Sequence, residues 1–220
     1  MNKIFCYDKM PTILSILNDN NDFLKKVFLN LILQLIITTI TIYLVKGDDI
    51  SGIAFFVLFI ISIIVMFLIL LNVPIIYKII LFAIFSICFG IMMSPVYKVN
   101  KEVLMAAVFG TLTIFILFFI FGLIITSYGY DISWMAGILL LSLFVLIITG
   151  IISLCVGISS VAHTIYLYIG LLIFCLYILL DTNRILLNKK YRQDFVSASM
   201  GYYLDILNIF MKLLQIFTKK

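Results

Sequence analysis

The sequence predicts an all-α polytopic membrane protein, and three observations support this class. Of the 220 residues, 65% are hydrophobic and only 11% are charged, whereas soluble domains are about 45–50% apolar and about 25% charged. The mean hydropathy of +1.30 is equally extreme. The apolar residues form seven long continuous runs, each near the roughly 20 residues that a helix needs to cross the hydrocarbon core. Lipid is therefore the expected solvent for most of the chain.

The seven runs define the helical segments, and short polar breaks separate them. They are Val27–Val45, Ile53–Leu71, Ile75–Val96, Val103–Thr126, Ser133–Ile158, Ile165–Leu187 and Phe195–Phe217. This pattern predicts a cytosolic amino-terminal tail over residues 1–26, one transmembrane helical domain over residues 27–217, and a short basic tail over residues 218–220. The polar first tail lacks the apolar core of a signal peptide, so the first run is expected to be an uncleaved anchor.

The distribution of Lys and Arg predicts which ends of the segments face the cytosol. Nine of these residues fall on the side of the amino terminus and of the loop Asn188–Asp194, and three fall on the opposite side. The positive-inside rule places the first side in the cytosol. The last segment and its tail carry three more lysines, Lys212, Lys219 and Lys220. These lysines fall on the opposite side if the last segment spans the membrane, or on the cytosolic side if that segment is re-entrant. Both arrangements remain open at this stage.

Composition also limits the classes of function. The net charge of +5 comes from 15 basic and 10 acidic residues that lie mainly in loops and tails, which is typical of membrane orientation rather than nucleic-acid binding. The single histidine and the lack of nucleophile–base or metal-binding motifs argue against an enzyme. We therefore expect no cofactor, no nucleic-acid partner and a lipid environment.

Two acidic residues stand inside the apolar segments, where ionisable groups are rare and usually functional. Asp181 lies near the end of the sixth segment, and Asp205 lies in the middle of the seventh. Asp205 belongs to a polar line along one face of that segment, which we call the last-helix stripe. Its members are spaced 4, 3, 4 and 3 residues apart: Gly201, Asp205, Asn208, Lys212 and Gln215. Such a stripe is expected to face the bundle interior or water rather than lipid.

Other placements of these polar residues are also consistent with the spacing. The last segment could instead be an amphipathic helix lying in the membrane interface. The first segment carries a weaker polar line, with Asn30 and Gln34 followed by Thr38 and Thr41, which could lie opposite the last-helix stripe.

The chemistry expected of the two aspartates depends on their neighbours. If Asp181 and Asp205 are close in a low dielectric, the pair shares a proton and becomes a pH-sensitive latch. The same two carboxylates could hold a hard cation such as calcium through their oxygens. Alternatively, Asp181 forms a local ion pair with Arg184, three residues further along the helix, or Arg184 caps the aspartate pair.

Four motifs stand near the carboxy terminus: Leu180-Asp181-Thr182, then Asp194-Phe-Val-Ser-Ala-Ser199, and Tyr203-Leu-Asp-Ile-Leu-Asn-Ile-Phe210, followed by Leu213-Leu-Gln215. Together they resemble the carboxy-terminal signature of the transmembrane Bax inhibitor motif family. The first segment, from Phe23 through Gln34 to Thr39, is similar to the Lifeguard and Golgi anti-apoptotic branch. The resemblance covers residues 23–217, is strongest at both ends, and leaves a eukaryotic, viral or bacterial source open.

The resemblance implies six helices around a central seventh, with Asp181 and Asp205 at the positions of the family's paired aspartates. It also implies a pH-sensitive calcium leak that lowers store calcium and inhibits apoptosis, in the Golgi or endoplasmic reticulum membrane, or in the inner membrane of a bacterium. Calcium would be the permeant ion. The alternative is a non-conducting inhibitor that binds membrane cell-death regulators.

Two departures from the family pattern bear on conduction. The stretch before Ser94-Pro95 carries no glutamate, and Asn72-Val73-Pro74 replaces the basic residues that follow the second segment. The first departure favours the binding protein, and the polar last-helix stripe favours the channel.

Overall fold

A computed structural model describes residues 12–47, 50–156, 159–187 and 194–219, apart from the side chains of residues 154 and 155. Every regular element in these ranges is helical, as the sequence predicts. The α-helices are α1 Ile13–Asp19, α2 Asn21–Val45, α3 Gly52–Leu70, α4 Ile75–Met92, α5 Lys101–Ser127, α6 Met135–Val156, α7 Ser160–Leu187 and α8 Phe195–Thr218. A short 3-10 helix, Ser94–Lys98, joins α4 to α5.

Six of these helices, α2 to α7, are long and apolar enough to cross a membrane. They correspond to the first six predicted runs, and their outer faces expose large apolar side chains, as lipid contact requires. The chain is therefore a multi-pass integral membrane protein.

Capping residues set several helix ends where hydropathy alone predicts them imperfectly. The Ser51 hydroxyl accepts a hydrogen bond from the Ala54 N–H at the start of α3, and the Asn100 side chain accepts one from Glu102 at the start of α5. Ser159 likewise accepts from the Ala162 N–H, so α7 begins at Ser160, five residues before the predicted apolar run. His163, in the break predicted between the fifth and sixth apolar runs, consequently lies in the first turn of α7.

The predicted amino-terminal tail is partly helical. Residues 13–19 form α1, and α2 begins at Asn21, six residues before the apolar run. The Thr12 hydroxyl caps α1 by accepting from the Ser15 N–H. Polar residues such as Lys25 and Lys26 are good helix formers, so hydropathy marks where the chain enters lipid rather than where the helix starts. Residues 1–11 of the predicted tail lie outside the described residues.

Helix α8 occupies the centre of the bundle. It packs against α2, α3, α4, α5 and α7, while α6 packs against α7. It continues without a break over 24 residues, which is about 36 Å at 1.5 Å per residue. Of the two arrangements predicted for the last segment, the structure has the central helix, and α8 does not turn back as a re-entrant segment would.

Contacts between the helices define their relative directions. Asn30 and Thr38 of α2 meet Ser199 and Tyr203 of α8 in the same order along the chain, so these helices are parallel. Helix α7 runs the opposite way, because Thr182 meets Tyr202 whereas Gly170 meets Lys212. The amino-terminal ends of α2 and α8 therefore lie at one end of the bundle, as the predicted topology requires.

Two adjacent tyrosines of α8 fill the core on different sides of that helix. Tyr202 and Tyr203 are both fully buried. The rings around Tyr202 are Phe28, Phe115 and Phe119, and those around Tyr203 are Phe82, Phe85 and Phe89. Aromatic contacts on both sides hold α8 in one rotational setting, and that setting determines where its polar residues point.

Candidate functional site

Asp181 lies where α7 crosses α8 at a glycine. A Cβ atom placed on Gly201 would lie 2.5 Å from Oδ2 of Asp181, so only a glycine allows the carboxylate to sit against α8. Gly201 and Asp205 are four residues apart and therefore lie on the same face of α8, one turn from each other. The structure thus brings Asp181 to the part of the last-helix stripe that contains Asp205.

Asp205 is buried and incompletely hydrogen-bonded. Only 5% of the residue is exposed, and its Oδ2 has no hydrogen-bond partner among the described residues. The two carboxylates are close enough to repel each other when both are ionised. Because an unpaired buried carboxylate is costly, Asp205 is the polar group of the bundle that most needs a functional explanation.

Arg184 lies near two acidic groups at the same end of the bundle and attracts both. Its guanidinium attracts the Asp181 carboxylate one turn away and also the Asp131 carboxylate in the loop between α5 and α6. The Ser133 hydroxyl and backbone N–H stabilise ionised Asp131, and with Arg184 they hold the pKa of Asp131 below its usual value. Both partners predicted for Asp181, Asp205 and Arg184, are therefore near it.

The remaining members of the last-helix stripe continue away from the aspartates. Asn208 donates to the Leu204 carbonyl of its own helix at 2.8 Å and is half-buried, as is Gln215. Lys212 is buried, and its ammonium lies 3.9 Å from the centre of the Tyr166 ring. The stripe faces the bundle, but these three side chains are not shown in contact with Asp181 or Asp205.

The polar line on α2 faces α8, but on a different side from Asp205. The Asn30 side chain donates to Ser199 Oγ at 2.6 Å, and the Thr38 hydroxyl lies 2.5 Å from the Tyr203 hydroxyl. Tyr203 and Asp205 are two residues apart, which is about 200° around a helix. The expectation that this line lies opposite the last-helix stripe is therefore wrong.

Gln34 joins the α2 line to α4. Its Oε1 accepts a hydrogen bond of 2.9 Å from the Ser86 hydroxyl, and its Nε2 donates to Asn30 at 3.5 Å. Thr38 also donates to the Ser86 carbonyl. We call Asn30, Gln34, Thr38, Ser86, Ser199 and Tyr203 the α2 network. Its hydrogen bonds connect α2, α4 and α8 in the interior.

Two residues beside Asp181 have structural roles that the sequence analysis missed. The Thr182 hydroxyl lies 2.9 Å from that of Tyr202. The Asn183 amide donates to the Tyr130 carbonyl at 2.9 Å and accepts from the Ile132 N–H at 3.1 Å, so it holds the loop between α5 and α6. Four consecutive polar residues in an apolar helix were the available signal, because such a run must face protein on several sides.

A second missed feature is an ion pair between Lys78 at the start of α4 and Asp194, the N-cap of α8. Asp194 also accepts from the N–H groups of Val196 and Ser197. Burial opposes ionisation of Asp194, but hydrogen bonds from Lys78 and Ser197 outweigh it and hold the pKa of this carboxyl below its usual value. The pair joins the amino-terminal ends of α4 and α8.

The aspartate pair does not provide a complete ligand set for calcium. Within the described ranges, no group of three or more His, Cys, Asp or Glu side chains could hold a metal. Calcium takes six to eight oxygen ligands, and Asp181 with Asp205 supplies four carboxylate oxygens. Asp181 and Asp205 by themselves therefore do not complete the coordination shell of a calcium ion.

Comparison with known proteins finds relatives that match about two fifths of this chain. Protein LIFEGUARD 4 of Arabidopsis thaliana is 34% identical over 40% of this chain and 36% of its own length. Bax inhibitor 1 of Schizosaccharomyces pombe is 37% identical over 40% and 32%, and the Golgi anti-apoptotic protein of Vaccinia virus (strain Lister) is 35% identical over 39% and 35%. The matched region spans about a third of each relative. The family model described as "Inhibitor of apoptosis-promoting Bax1" matches residues 20–220, and the chain therefore belongs to that family.

Proposed function

We propose that this chain inhibits cell death from an intracellular membrane, Golgi or endoplasmic reticulum, by acting as a pH-sensitive calcium leak that lowers releasable store calcium. Membership of the family supports the anti-apoptotic part of the proposal. The names of the yeast Bax inhibitor 1 and of the viral Golgi anti-apoptotic protein support both this activity and the membrane.

The observation that carries the leak is the oxygen of Asp205 that lies near Asp181 and has no hydrogen-bond partner among the described residues. Two close carboxylates in a low dielectric share one proton, because both cannot remain ionised cheaply. While the proton is shared, the pair holds α7 against α8 at Gly201. When the proton leaves to water, the carboxylates repel each other and this interface loosens. Arg184 is the charged neighbour that limits the repulsion by attracting Asp181.

Calcium flux through the purified protein in liposomes, measured across a pH series, tests the proposal. Asp205→Leu leaves Asp181 to titrate alone and should abolish the pH dependence of the leak. Asn208→Leu is the matched control, because Asn208 lies on the same stripe and donates only to its own helix; this variant should keep the pH profile. An unchanged pH profile in Asp205→Leu would overturn the latch.

A second pair of variants identifies the partner of Asp181. If Asp205 is that partner, Asp181→Asn should leak with a weak pH response, while Arg184→Gln should change the flux less. If the local pair with Arg184 dominates, the order reverses, because losing Arg184 strands a carboxylate at membrane depth. Folded protein is verified by size-exclusion chromatography before each flux measurement.

The alternative function is a non-conducting inhibitor that binds membrane cell-death regulators, and the packing of α4 favours it. A Cβ atom on Gly90 would lie 2.6 Å from Cβ of Thr41, so α4 and α2 are in close contact, and the α2 network satisfies the polar groups beside them. No acid of α4 faces this interface, since the helix contains none. Protection of cells by wild-type protein that gives no calcium flux in liposomes would establish this alternative.

A further inference from the structure

Lys212 presents an unusual buried ammonium near the carboxy-terminal end of α8. The residue is 8% exposed, and among the described residues its Nζ has neither a carboxylate partner nor a hydrogen-bond acceptor. Its contact is the face of the Tyr166 ring. A cation–aromatic contact stabilises a lysine but satisfies none of its three N–H donors. The ammonium is therefore able to bind an anion.

The side chain extends toward the membrane surface at that end of the bundle. Its Cε lies beside Gly170, where an added Cβ would come within 2.8 Å. Its Nζ reaches Tyr166, one turn closer to the start of α7, and His163 lies almost one turn further on. This is the direction in which a buried lysine carries its charge to the interface.

Two more basic groups converge on the same place. His163 lies within electrostatic reach of both Lys212 and Lys219, and Lys219 is exposed just after α8. The His163 Nδ1 is buried without a hydrogen-bond partner among the described residues. Lys212, Lys219 and His163 therefore lie at the same end of the bundle, near the membrane surface, and no acidic group is paired with them in the described ranges.

An apolar groove between α6 and α7 begins beside this point. It has a volume of about 620 Å³ and runs from Ala162 and Thr149 to Trp134 at the opposite end of α6. Fifteen residues separate Thr149 from Trp134, or about 22 Å along the helix. One leaflet contributes about 15 Å of a 30 Å hydrocarbon core. Tyr166 lines the groove and also covers Lys212, so it joins the groove to the basic group.

We propose that an anionic phospholipid binds here, with its phosphate at Lys212, Lys219 and His163 and one acyl chain in the groove between α6 and α7. The groove lies between two membrane-spanning helices, so hydrocarbon is the solvent that fills it. The basic residues at its mouth complement a negative headgroup, and among the residues that the structure describes no acidic side chain is paired with them. This site is separate from the aspartate pair and does not depend on calcium conduction.

Native mass spectrometry of delipidated protein provides the test. The protein is titrated with phosphatidylglycerol and with phosphatidylcholine of identical acyl chains. We expect at least about tenfold tighter binding of the anionic lipid. Lys219→Gln, at an exposed position that folding does not depend on, should reduce this preference at least threefold, and Lys212→Gln should nearly remove it. Lys25→Gln, exposed at the other end of the bundle, has the same net charge and should keep the preference.

Two further arms identify the source of the anion and the role of the groove. Ser142→Trp fills the groove and should weaken retention of both lipids. Inorganic phosphate at millimolar concentration should not displace the lipid. Equal retention of the two lipids by wild-type protein, an unchanged preference in Lys219→Gln, or displacement by phosphate alone would each overturn the proposal.

Discussion

Breaking the ion pair between Lys78 and Asp194 tests how the central helix is anchored. Asp194→Asn removes the negative charge but keeps an amide oxygen that can cap α8, because Asn is as good an N-cap as Asp. Asp194→Ala removes both the charge and the cap. Lys78→Met removes the buried ammonium and leaves the partly exposed Asp194 still bonded to Val196 and Ser197.

The structure sets the order of the three effects. A hydrogen bond to a charged group contributes about 1.5–3 kcal/mol, so Asp194→Asn should destabilise the fold by about 2 kcal/mol by leaving Lys78 buried without its partner. Loss of the cap adds about 1 kcal/mol, which brings Asp194→Ala to about 3 kcal/mol. Lys78→Met should destabilise the fold least, because an apolar side chain replaces the buried ammonium and no buried charge is left without a partner.

Thermal unfolding in detergent, followed by intrinsic fluorescence, measures these differences. For a chain of this size, 2 kcal/mol corresponds to a midpoint shift of about 4–8 °C. The pKa of Asp194 is held below its usual value, so its stabilisation is complete above the ordinary carboxyl pKa of about 3.9 and is lost as the pH falls through the depressed value. The gap between wild type and Asp194→Asn should therefore close in acid. The reasoning would be refuted if Asp194→Asn left the thermal midpoint unchanged, or if Lys78→Met lowered the midpoint more than Asp194→Ala does.

Of three other predictions, two use the same detergent preparation and the third uses intact membranes. Gly201→Ala places a methyl group 2.5 Å from the Asp181 carboxylate and should lower the free energy of unfolding by about 1–3 kcal/mol. The control Gly137→Ala, with nothing within 4 Å of the added methyl group, should leave the free energy of unfolding unchanged or raise it. Equal losses of stability in the two variants would contradict the close approach of Asp181 to Gly201. Tyr203→Phe removes one of the partners of the Thr38 hydroxyl and should destabilise the fold by about 0.5–1.5 kcal/mol, and an unaltered thermal midpoint would argue against the α2 network. Single cysteines introduced into loops 71–74 and 128–134 should be labelled from the same side of the membrane as a tag at the amino terminus, and labelling from opposite sides would reject the topology.

The membrane segments could be predicted from sequence because lipid imposes a simple rule on them. Each helix must be apolar over about 20 residues, and the runs that end at Val45, Leu71 and Leu187 end within one residue of the helices in the structure. The rule says nothing about polar helical residues outside lipid, which is why α1 and the first turns of α2 and α7 were missed. The predicted end of α4 was late because Pro95 changes the chain to a 3-10 helix after Met92.

The candidate site was predictable to the extent that it lies on single helices. Spacing placed Gly201 and Asp205 on one face, and the rarity of intramembrane acids singled out Asp181. Spacing does not say which neighbour a face meets, so Asn30 was assigned to the wrong side of α8. The pairing of Lys78 with Asp194 joins residues 116 positions apart, and only the packed bundle brings them together.

The central position of α8 also constrains how the protein is made. This helix is not among those apolar enough to cross a membrane by themselves, and Asp205, near its middle, would by itself add about 2.5–3.5 kcal/mol to its solitary insertion from the translocon. All the helices that surround it precede it in the chain, so they are synthesised first and offer α8 a protein-lined slot instead of bare lipid. Insertion of α8 is thus coupled to tertiary assembly. Substitutions on the inward faces of α2, α5 or α7 would leave it stranded at the membrane surface and expose the chain to quality-control proteolysis.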